Sequence, residues 1–228
     1  QNPQRPIELN LFNSFKASNF LVSNRIMGYA QRSLRWGDTS GNRYTLTAGL
    51  RANYWDLNQE TVISPRANIS LEPNWNRDFL FRFSTGYYYQ PAFYRELRDF
   101  NGELNTDIEA QRSIHFVLGA DYNFQAWGRP FKFVGEAYYK QMDNIIPYEL
   151  DNVRIRYYAE NSATAYAVGA DFKINGEFVK GVDSWVNVGF LQVYEDIEND
   201  AYFDYFNSDG ERIVPGFTIN NQPVDSVK

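Results

Sequence analysis

His115 is the only histidine in the chain, and the chain contains no cysteine. Acid–base or nucleophilic catalysis would have to be built around His115, with Ser84 and Ser113 as available hydroxyl nucleophiles. The sequence has no G-x-S-x-G segment of the kind that holds a serine on a strained turn. The lack of cysteine excludes a disulfide framework, a Cys-ligated zinc site and a thiol nucleophile. We interpret His115 as a strand residue, assign no catalytic residue, and keep an enzyme that uses His115 as an alternative.

Acidic residues cluster near the end of the chain: Glu195, Asp196, Glu198, Asp200, Asp204, Asp209 and Glu211. Calcium takes six to eight oxygen ligands from such segments. The sequence Asn207-Ser208-Asp209-Gly210 lacks the spaced ligands and the closing Glu of an EF-hand. We predict a solvated outer loop with no metal and no cofactor, and leave a calcium site as the alternative.

Two further segments combine arginine with aromatic side chains, the residue types in which binding energy concentrates at recognition surfaces. The candidates for substrate contact are Phe93, Tyr94, Arg95 and Arg98 in one segment, and Tyr148, Arg154, Arg156 and Tyr157 in the other. The alternative is that they belong to an aromatic girdle that contacts outer-membrane lipid and lipopolysaccharide.

The composition restricts the class of protein that could carry these residues. The net charge is −6 and no basic block is present, so nucleic acid is not expected as a partner. Aromatic residues make up 18% of the chain, and the mean hydropathy is −0.53. No apolar run is long enough for a transmembrane helix, but a membrane barrel stays possible because its strands alternate apolar with polar residues.

Alternation with a period of two is the dominant pattern, and it predicts about eight strands and no helix of useful length. The four clearest strands are predicted at 44–55, 79–90, 114–124 and 131–140, and four more at 19–31, 66–72, 163–175 and 184–195. The clearest ones are longer than the roughly five or six residues of an average globular strand and match the roughly 9–11 that cross a membrane.

The two faces of these strands differ in a way that predicts an outer-membrane barrel. The apolar faces carry aromatic residues at both ends, as the interfacial girdles of such barrels do. The opposite faces carry charges of both signs: Arg51, Arg82, Asp121, Lys132, Glu136, Lys140, Asp171 and Lys173. Because charge facing lipid costs about 2–4 kcal/mol at the bilayer midplane, these side chains are expected to face a lumen. The alternative is a soluble carbohydrate-binding β-sandwich.

The connections alternate between short and long, as in an up-and-down barrel with one periplasmic and one outer rim. Short links are predicted at 73–78, 125–130 and 176–183, and long ones at 91–112, 142–162 and from 196 to the end. Because successive links lie on alternate rims, the link at 58–64 is expected on the outer rim and the link at 32–42 on the periplasmic rim.

An ordered set of motifs resembles a known family. Ser64-Pro65-Arg66 opens a strand, and the next strand runs through Gly86-Tyr87 into a rim segment with Pro91, Phe93 and Glu96-Leu97. This resembles the hairpin and rim segment of TonB-dependent receptors. Segment 105–111 resembles the family's segment before the next strand, and segments 119–124, 137–146 and 167–172 resemble the strands that follow, so that the resemblance covers about residues 44–195. The abundance of Tyr and Asn in the sequence is similar to that in receptors from Bacteroidetes-type bacteria.

The resemblance implies an all-β, antiparallel up-and-down transmembrane β-barrel in the bacterial outer membrane, of which this chain supplies about eight of 22 strands. It further implies transport of a metal chelate, cobalamin, glycan or peptide, energised by the TonB complex through an N-terminal region. A surface-exposed substrate-binding lipoprotein is a further expected partner.

The two ends, together with the resemblance, suggest a fragment. Residues 1–6 contain no signal peptide and residues 222–228 no structural stop. We therefore expect residues 1–228 to be a partial barrel domain without the plug domain and terminal strands. A stand-alone eight-stranded barrel with a structural or adhesive role is the alternative.

Overall fold

The computed structural model describes residues 17–151, 153–200, 205–206 and 212–213. The chain divides into two units, 1–197 and 198–228. Within the second unit, two short strands, β11 (Tyr205–Phe206) and β12 (Arg212–Ile213), pair antiparallel. No helix in the part of the chain that the structure describes is long and apolar enough to cross a membrane.

The first unit is built on one antiparallel sheet of eight strands in the order β1-β2-β3-β4-β5-β6-β9-β10. The eight strands are β1 (Arg25–Gly37), β2 (Arg43–Trp55), β3 (Glu60–Glu72), β4 (Asp78–Gln90), β5 (Gln111–Ala126), β6 (Arg129–Ile145), β9 (Ala163–Val179) and β10 (Val182–Ile197). A separate small hairpin, β7 (Tyr148–Asp151) and β8 (Arg154–Tyr157), lies in the connection between β6 and β9. Each long strand therefore pairs with its neighbour along the chain, which is the predicted up-and-down topology. One large sheet replaces the two packed sheets of the sandwich alternative.

The sheet has two different ends, set by its connections. At one end, which we call the short-turn edge, the links are 38–42, 73–77, 127–128 and 180–181. At the other, the long-loop edge, they are 56–59, 91–110 and 146–162. The predicted alternation is confirmed, although the links at 32–42 and 58–64 were predicted too long.

Two strand starts differ from the prediction by six residues, and the pairing of these strands with their neighbours explains both. Strand β1 begins at Arg25 and not at residue 19, because it follows β2 along its whole length, from Arg25 opposite Trp55 to Gly37 opposite Arg43. Strand β3 begins at Glu60 and not at residue 66, so that Pro65 lies inside it. Pro65 has no N–H to donate, and the β3–β4 ladder begins only after it, at Arg66 opposite Gly86.

One face of the sheet is apolar, with aromatic rings toward both ends of the strands. The rings near the short-turn edge are Trp36, Tyr44, Phe79, Tyr122, Phe124 and Phe131, and those near the long-loop edge are Tyr54, Tyr87, Tyr89, Tyr139, Tyr166 and Tyr194. Many of them stack: the ring centroids of Phe79 and Tyr122 are 4.2 Å apart, and those of Tyr166 and Tyr194 are 5.6 Å apart. This is the arrangement of two interfacial girdles around an apolar band.

The opposite face is polar, and one group of its charges is paired across strands. Arg82 on β4 contacts Asp121 on β5 at 2.7 Å and Glu136 on β6 at 3.1 Å. Lys132 reaches the second oxygen of Asp121 at 2.8 Å. Gly119 lies between Arg82 and Glu136 in the register, and its lack of a side chain lets the two groups meet across β5.

Candidate functional site

The long-loop edge is covered by a folded layer, which we call the loop layer: residues 17–24, 56–59, 91–110, 146–151 and 153–162. It has an apolar core of its own, formed together with the end of β2: Trp55, Ala92, Leu97, Ile108, Ile146 and Ala159, each at most 4% exposed. Burial of these side chains fixes the two long connections against each other and against the sheet. The loop layer therefore presents a defined surface.

Asparagine side chains join the segments of the loop layer by donating to backbone carbonyls. Asn58 donates to Ile108 at 2.7 Å and Asn105 to Ala159 at 2.9 Å. Asn161 donates to the carbonyl of Asn144 at 2.7 Å. These bonds satisfy loop backbone groups that no strand partner reaches.

The turn at 56–59 also holds the segment before β1. The carboxylate of Asp56 accepts hydrogen bonds from the backbone N–H of Asn24 at 2.7 Å and from the Asn24 side-chain amide at 2.8 Å. These two donors lower the pKa of Asp56 below its ordinary value of 3.8, the backbone donor contributing most. The carboxylate form that makes both contacts therefore persists in mildly acidic medium.

The rim segment that resembles the family pattern forms a tight turn. Glu96 accepts a hydrogen bond from the backbone N–H of Phe93 at 2.9 Å, and its own N–H donates to the carbonyl of Phe93 at 2.9 Å. Leu97 is fully buried in the core of the loop layer. Each of these motif residues thus has a structural role in holding the first long loop.

A groove on the loop layer, which we call the outer groove, unites five of the eight predicted contact residues. It has a volume of about 590 Å³ and is lined by Tyr94, Arg95, Arg98, Asp99, Phe100, Val153, Ile155, Arg156 and Tyr157. The three other predicted residues lie elsewhere. Phe93 lines a different pocket, and Tyr148 and Arg154 belong to the β7–β8 hairpin without lining the groove.

The groove holds its arginines against rings. The guanidinium of Arg95 lies 5.8 Å from the centre of the Tyr157 ring, and that of Arg156 lies 4.6 Å from the centre of the Phe100 ring. Arg156 also pairs with Glu149 at 3.6 Å. The carboxylate of Asp99 accepts backbone N–H groups of its own turn, at 2.9 Å from Asn101 and 2.8 Å from Glu103. The groove offers a polar ligand both cations and flat apolar surfaces.

A second pocket, which we call the inner pocket, lies on the polar face directly beneath the first long loop. Its volume is about 620 Å³, and its lining includes Arg25, Arg51, Arg66, Tyr88 and His115. Sequence reasoning missed it, although Arg51 had been placed on the polar face and Arg66 in the motif. The pocket lies where the β3–β4 ladder ends early, and the alternation of residues within a strand does not reveal where a ladder ends.

His115 lies in the inner pocket without a serine partner. Its ring stacks on that of Tyr88 with the centroids 4.2 Å apart. Ser84 accepts a hydrogen bond from Asn68, and the buried hydroxyl of Ser113 makes no hydrogen bond. Neither candidate nucleophile therefore forms the Ser–His pair that the enzyme alternative requires.

Part of the acidic cluster near the end of the chain, namely Asp204, Asp209 and Glu211, lies outside the described residues. Among the residues that are described, no group of three or more His, Asp or Glu side chains could hold a metal ion.

Comparison with known proteins identifies the family. A family model described as "TonB dependent receptor-like, beta-barrel" matches residues 1–226. No curated protein and no solved structure gives a significant match. The family consists of bacterial outer-membrane receptors that work with TonB, and long loops of such barrels face the outside of the cell while short turns face the periplasm. Since the match spans nearly the whole sequence and the sheet has the expected topology and faces, the chain belongs to the TonB-dependent receptor family and is a portion of its β-barrel.

Proposed function

We propose that the chain forms part of the wall and outer loops of a receptor that imports a bulky nutrient, such as a metal chelate, cobalamin, a glycan or a peptide. The packed loop layer is the observation that supports this most directly. Its buried core holds the two long loops in one conformation, and such preorganisation reduces the entropic cost of binding a ligand.

The proposed contact surface is the outer groove. Tyr94, Arg95, Arg98, Arg156 and Tyr157 bring large aromatic surface and cationic donors to one place at the outer edge of the barrel. Tyr and Arg are the residue types that most often dominate binding energy. For Phe93, Tyr148 and Arg154 we make a secondary proposal: they contact the parts of a large ligand that extend beyond the groove.

The remaining partners follow from the same proposal. Residues 1–228 would be a partial barrel domain within a barrel of 22 strands, closed by a plug domain that TonB engages from the periplasm. Lipid and lipopolysaccharide would surround the aromatic girdles. A substrate-binding lipoprotein would dock over the loop layer.

The test is nutrient uptake by the source bacterium. The gene for the full-length receptor is deleted and restored as the wild type, as Arg95→Ala with Tyr157→Ala, or as Glu160→Ala. Uptake of ferric chelates, cobalamin, oligosaccharides and peptides is then measured with and without a protonophore. We expect wild-type uptake of one nutrient class to require the proton gradient, and the double variant to reduce its apparent affinity about tenfold or more.

Glu160→Ala is the control, because Glu160 is an exposed charged residue of the same loop that does not line the groove and is not one of the proposed contact residues. It should change uptake little. Uptake that is unaffected by deletion of the gene for every nutrient class would refute the transport proposal. Equal losses in the double variant and in the control would refute the groove as the contact surface.

A further inference from the structure

Strands β3 and β4 separate toward the outside of the cell, and the inner pocket lies at this separation. Their ladder covers only Arg66–Leu71 opposite Phe81–Gly86. Beyond it, residues 60–65 of β3 and 87–90 of β4 have no ladder partner in each other. The pocket is lined by Val62, Ser64 and Arg66 on one side and by Tyr88, Tyr89 and Gln90 on the other.

The inner pocket is cationic. No aspartate or glutamate is among its lining residues. Arg112 is neutralised by Asp143 at 3.0 Å, whereas Arg51 and Arg66 have no carboxylate partner among the described residues. Arg51 approaches the sulfur of Met27 at 3.1 Å, and the guanidinium of Arg66 lies 4.8 Å from the centre of the Tyr88 ring.

The positions of these two arginines bring two cations without a carboxylate partner among the described residues to the lining of one pocket. Arg51 is opposite Ser64 in the β2–β3 register, so Arg66 is its diagonal neighbour on the same face. Diagonal neighbours lie about 7–8 Å apart, within reach of long side chains. An anion in the pocket would accept charge-assisted hydrogen bonds from these guanidinium groups.

Two unsatisfied polar atoms open on the same pocket. The side-chain oxygen of Asn53 and the hydroxyl of Ser113 are buried without a hydrogen-bond partner, and both residues line the inner pocket. A buried polar atom without a partner costs about 1–3 kcal/mol. The oxygen of Asn53 can be satisfied only by a donor, so the pocket is complementary to an anionic group that has a hydroxyl or N–H beside it.

We propose that the inner pocket binds an anionic group of the transported nutrient, a carboxylate or a phosphate, between Arg51 and Arg66, with an adjacent hydroxyl or N–H donating to Asn53. The inference rests on the proposed transport function and narrows its substrate class. It favours acidic glycans, peptides with a free carboxylate and carboxylate-bearing chelates over neutral sugars. Phe93 of the first long loop is part of the pocket lining, so such a ligand would also contact this loop.

The experiment uses the purified full-length receptor in detergent and matched pairs of probes. Glucuronate is compared with glucose, and an N-acetylated dipeptide with its C-terminal amide; inorganic phosphate is a third anion. Binding is titrated through the shift in thermal unfolding temperature. The variants are Arg51→Gln with Arg66→Gln, Arg51→Lys with Arg66→Lys, and Arg35→Gln as control, since Arg35 lies on the same face near the short-turn edge and does not line the pocket.

We expect an anionic probe to bind more tightly than its neutral partner to the wild type and to Arg35→Gln. The glutamine double variant should weaken that binding about tenfold or more, and the lysine double variant, which keeps both charges, should retain most of it. If the glutamine variant does not fold, the weakening is read from Arg51→Gln alone.

The proposal is overturned if both members of each pair bind equally, or if no anion binds the wild type. It also falls if the glutamine variant lowers the unfolding temperature without ligand while no anion binds, because the arginines would then pair with another part of the receptor. Gradient-dependent uptake of an exclusively neutral nutrient would likewise overturn this inference while leaving the transport function intact.

Discussion

Single polar side chains decide whether the long outer loops of this receptor are ordered. Glu96 is only 8% exposed, and its carboxylate closes the turn at the start of the first long loop by accepting the Phe93 N–H. This turn places Leu97 in the core of the loop layer and places Tyr94 and Arg95 in the outer groove. Residues that line the groove and residues of the buried core therefore lie within one short segment.

Glu96→Ala should loosen the first long loop without unfolding the barrel. The substitution leaves the Phe93 N–H without its acceptor, at a cost of about 1–3 kcal/mol. We expect trypsin to cleave after Arg95 and Arg98 about tenfold faster in full-length receptor in outer-membrane vesicles, as followed by mass spectrometry.

The control is Glu103→Ala, which removes an exposed carboxylate from the same loop. Its backbone N–H and carbonyl take part in the turn around Asp99, and its side chain does not. Cleavage rates that are equal in the two variants would show that the Glu96 contact does not order the loop.

At the scale of elements, periodicity predicted which residues share a face but not where ladders end. The alternation in β2, β4, β5 and β6 is a local property, and the structure confirms those strands. The start of β1 depends on the length of β2, and the separation of β3 from β4 depends on Pro65 and the residues around it. Those ends follow from pairing between distant segments, which a single strand does not encode.

The outer groove was predictable only in part for the same reason. Composition singled out the arginine and aromatic residues of both loops. It did not indicate the β7–β8 hairpin, in which Arg156 and Tyr157 line the groove and Tyr148 and Arg154 do not. Nor did it indicate the asparagine side chains that join the loops, because their partners are carbonyl groups about 50 residues away.

The charge network on the polar face makes a prediction about the sheet itself. Asp121 holds both Arg82 and Lys132, and its side chain is only 11% exposed. Asp121→Ala leaves Lys132 without its partner and Arg82 with Glu136 alone. We expect a loss of about 1–3 kcal/mol, since the two cations keep partial contact with solvent. The measurement is the urea midpoint for unfolding of the full-length receptor in phospholipid vesicles.

Asp171→Ala provides the comparison for this prediction. Asp171 is a carboxylate on the same face, opposite Glu136 in the register, and has no ion pair among the described residues. Removing it relieves a repulsion between like charges, so stability should stay the same or rise slightly. A loss as large as that of Asp121→Ala would contradict the role assigned to the network.

At the scale of the whole molecule, the sheet has the surface of a barrel segment. The two edge strands, β1 and β10, form no ladder with each other in the described part of the chain. Their residues are almost all exposed on both faces, including large apolar ones such as Phe190 and Leu191. Unpaired edges of this length pair readily with other strands, which is what neighbouring strands of a larger barrel would supply.

Two adjacent residues of β10 distinguish the lipid-facing side of the sheet from its lumen-facing side. Phe190 and Leu191 are each 64% exposed and lie near the middle of the strand, but on opposite faces. Exposure alone would predict that arginine is tolerated equally at both positions. The barrel assignment predicts that Phe190→Arg places a charge in lipid and costs about 2–4 kcal/mol. Leu191→Arg places the charge on the polar face, opposite Gly169, where the cost should be much smaller.

Urea unfolding of both full-length variants in phospholipid vesicles measures the difference. Equal losses would mean that β10 does not border the membrane, and a larger loss for Leu191→Arg would reverse the assignment of the two faces.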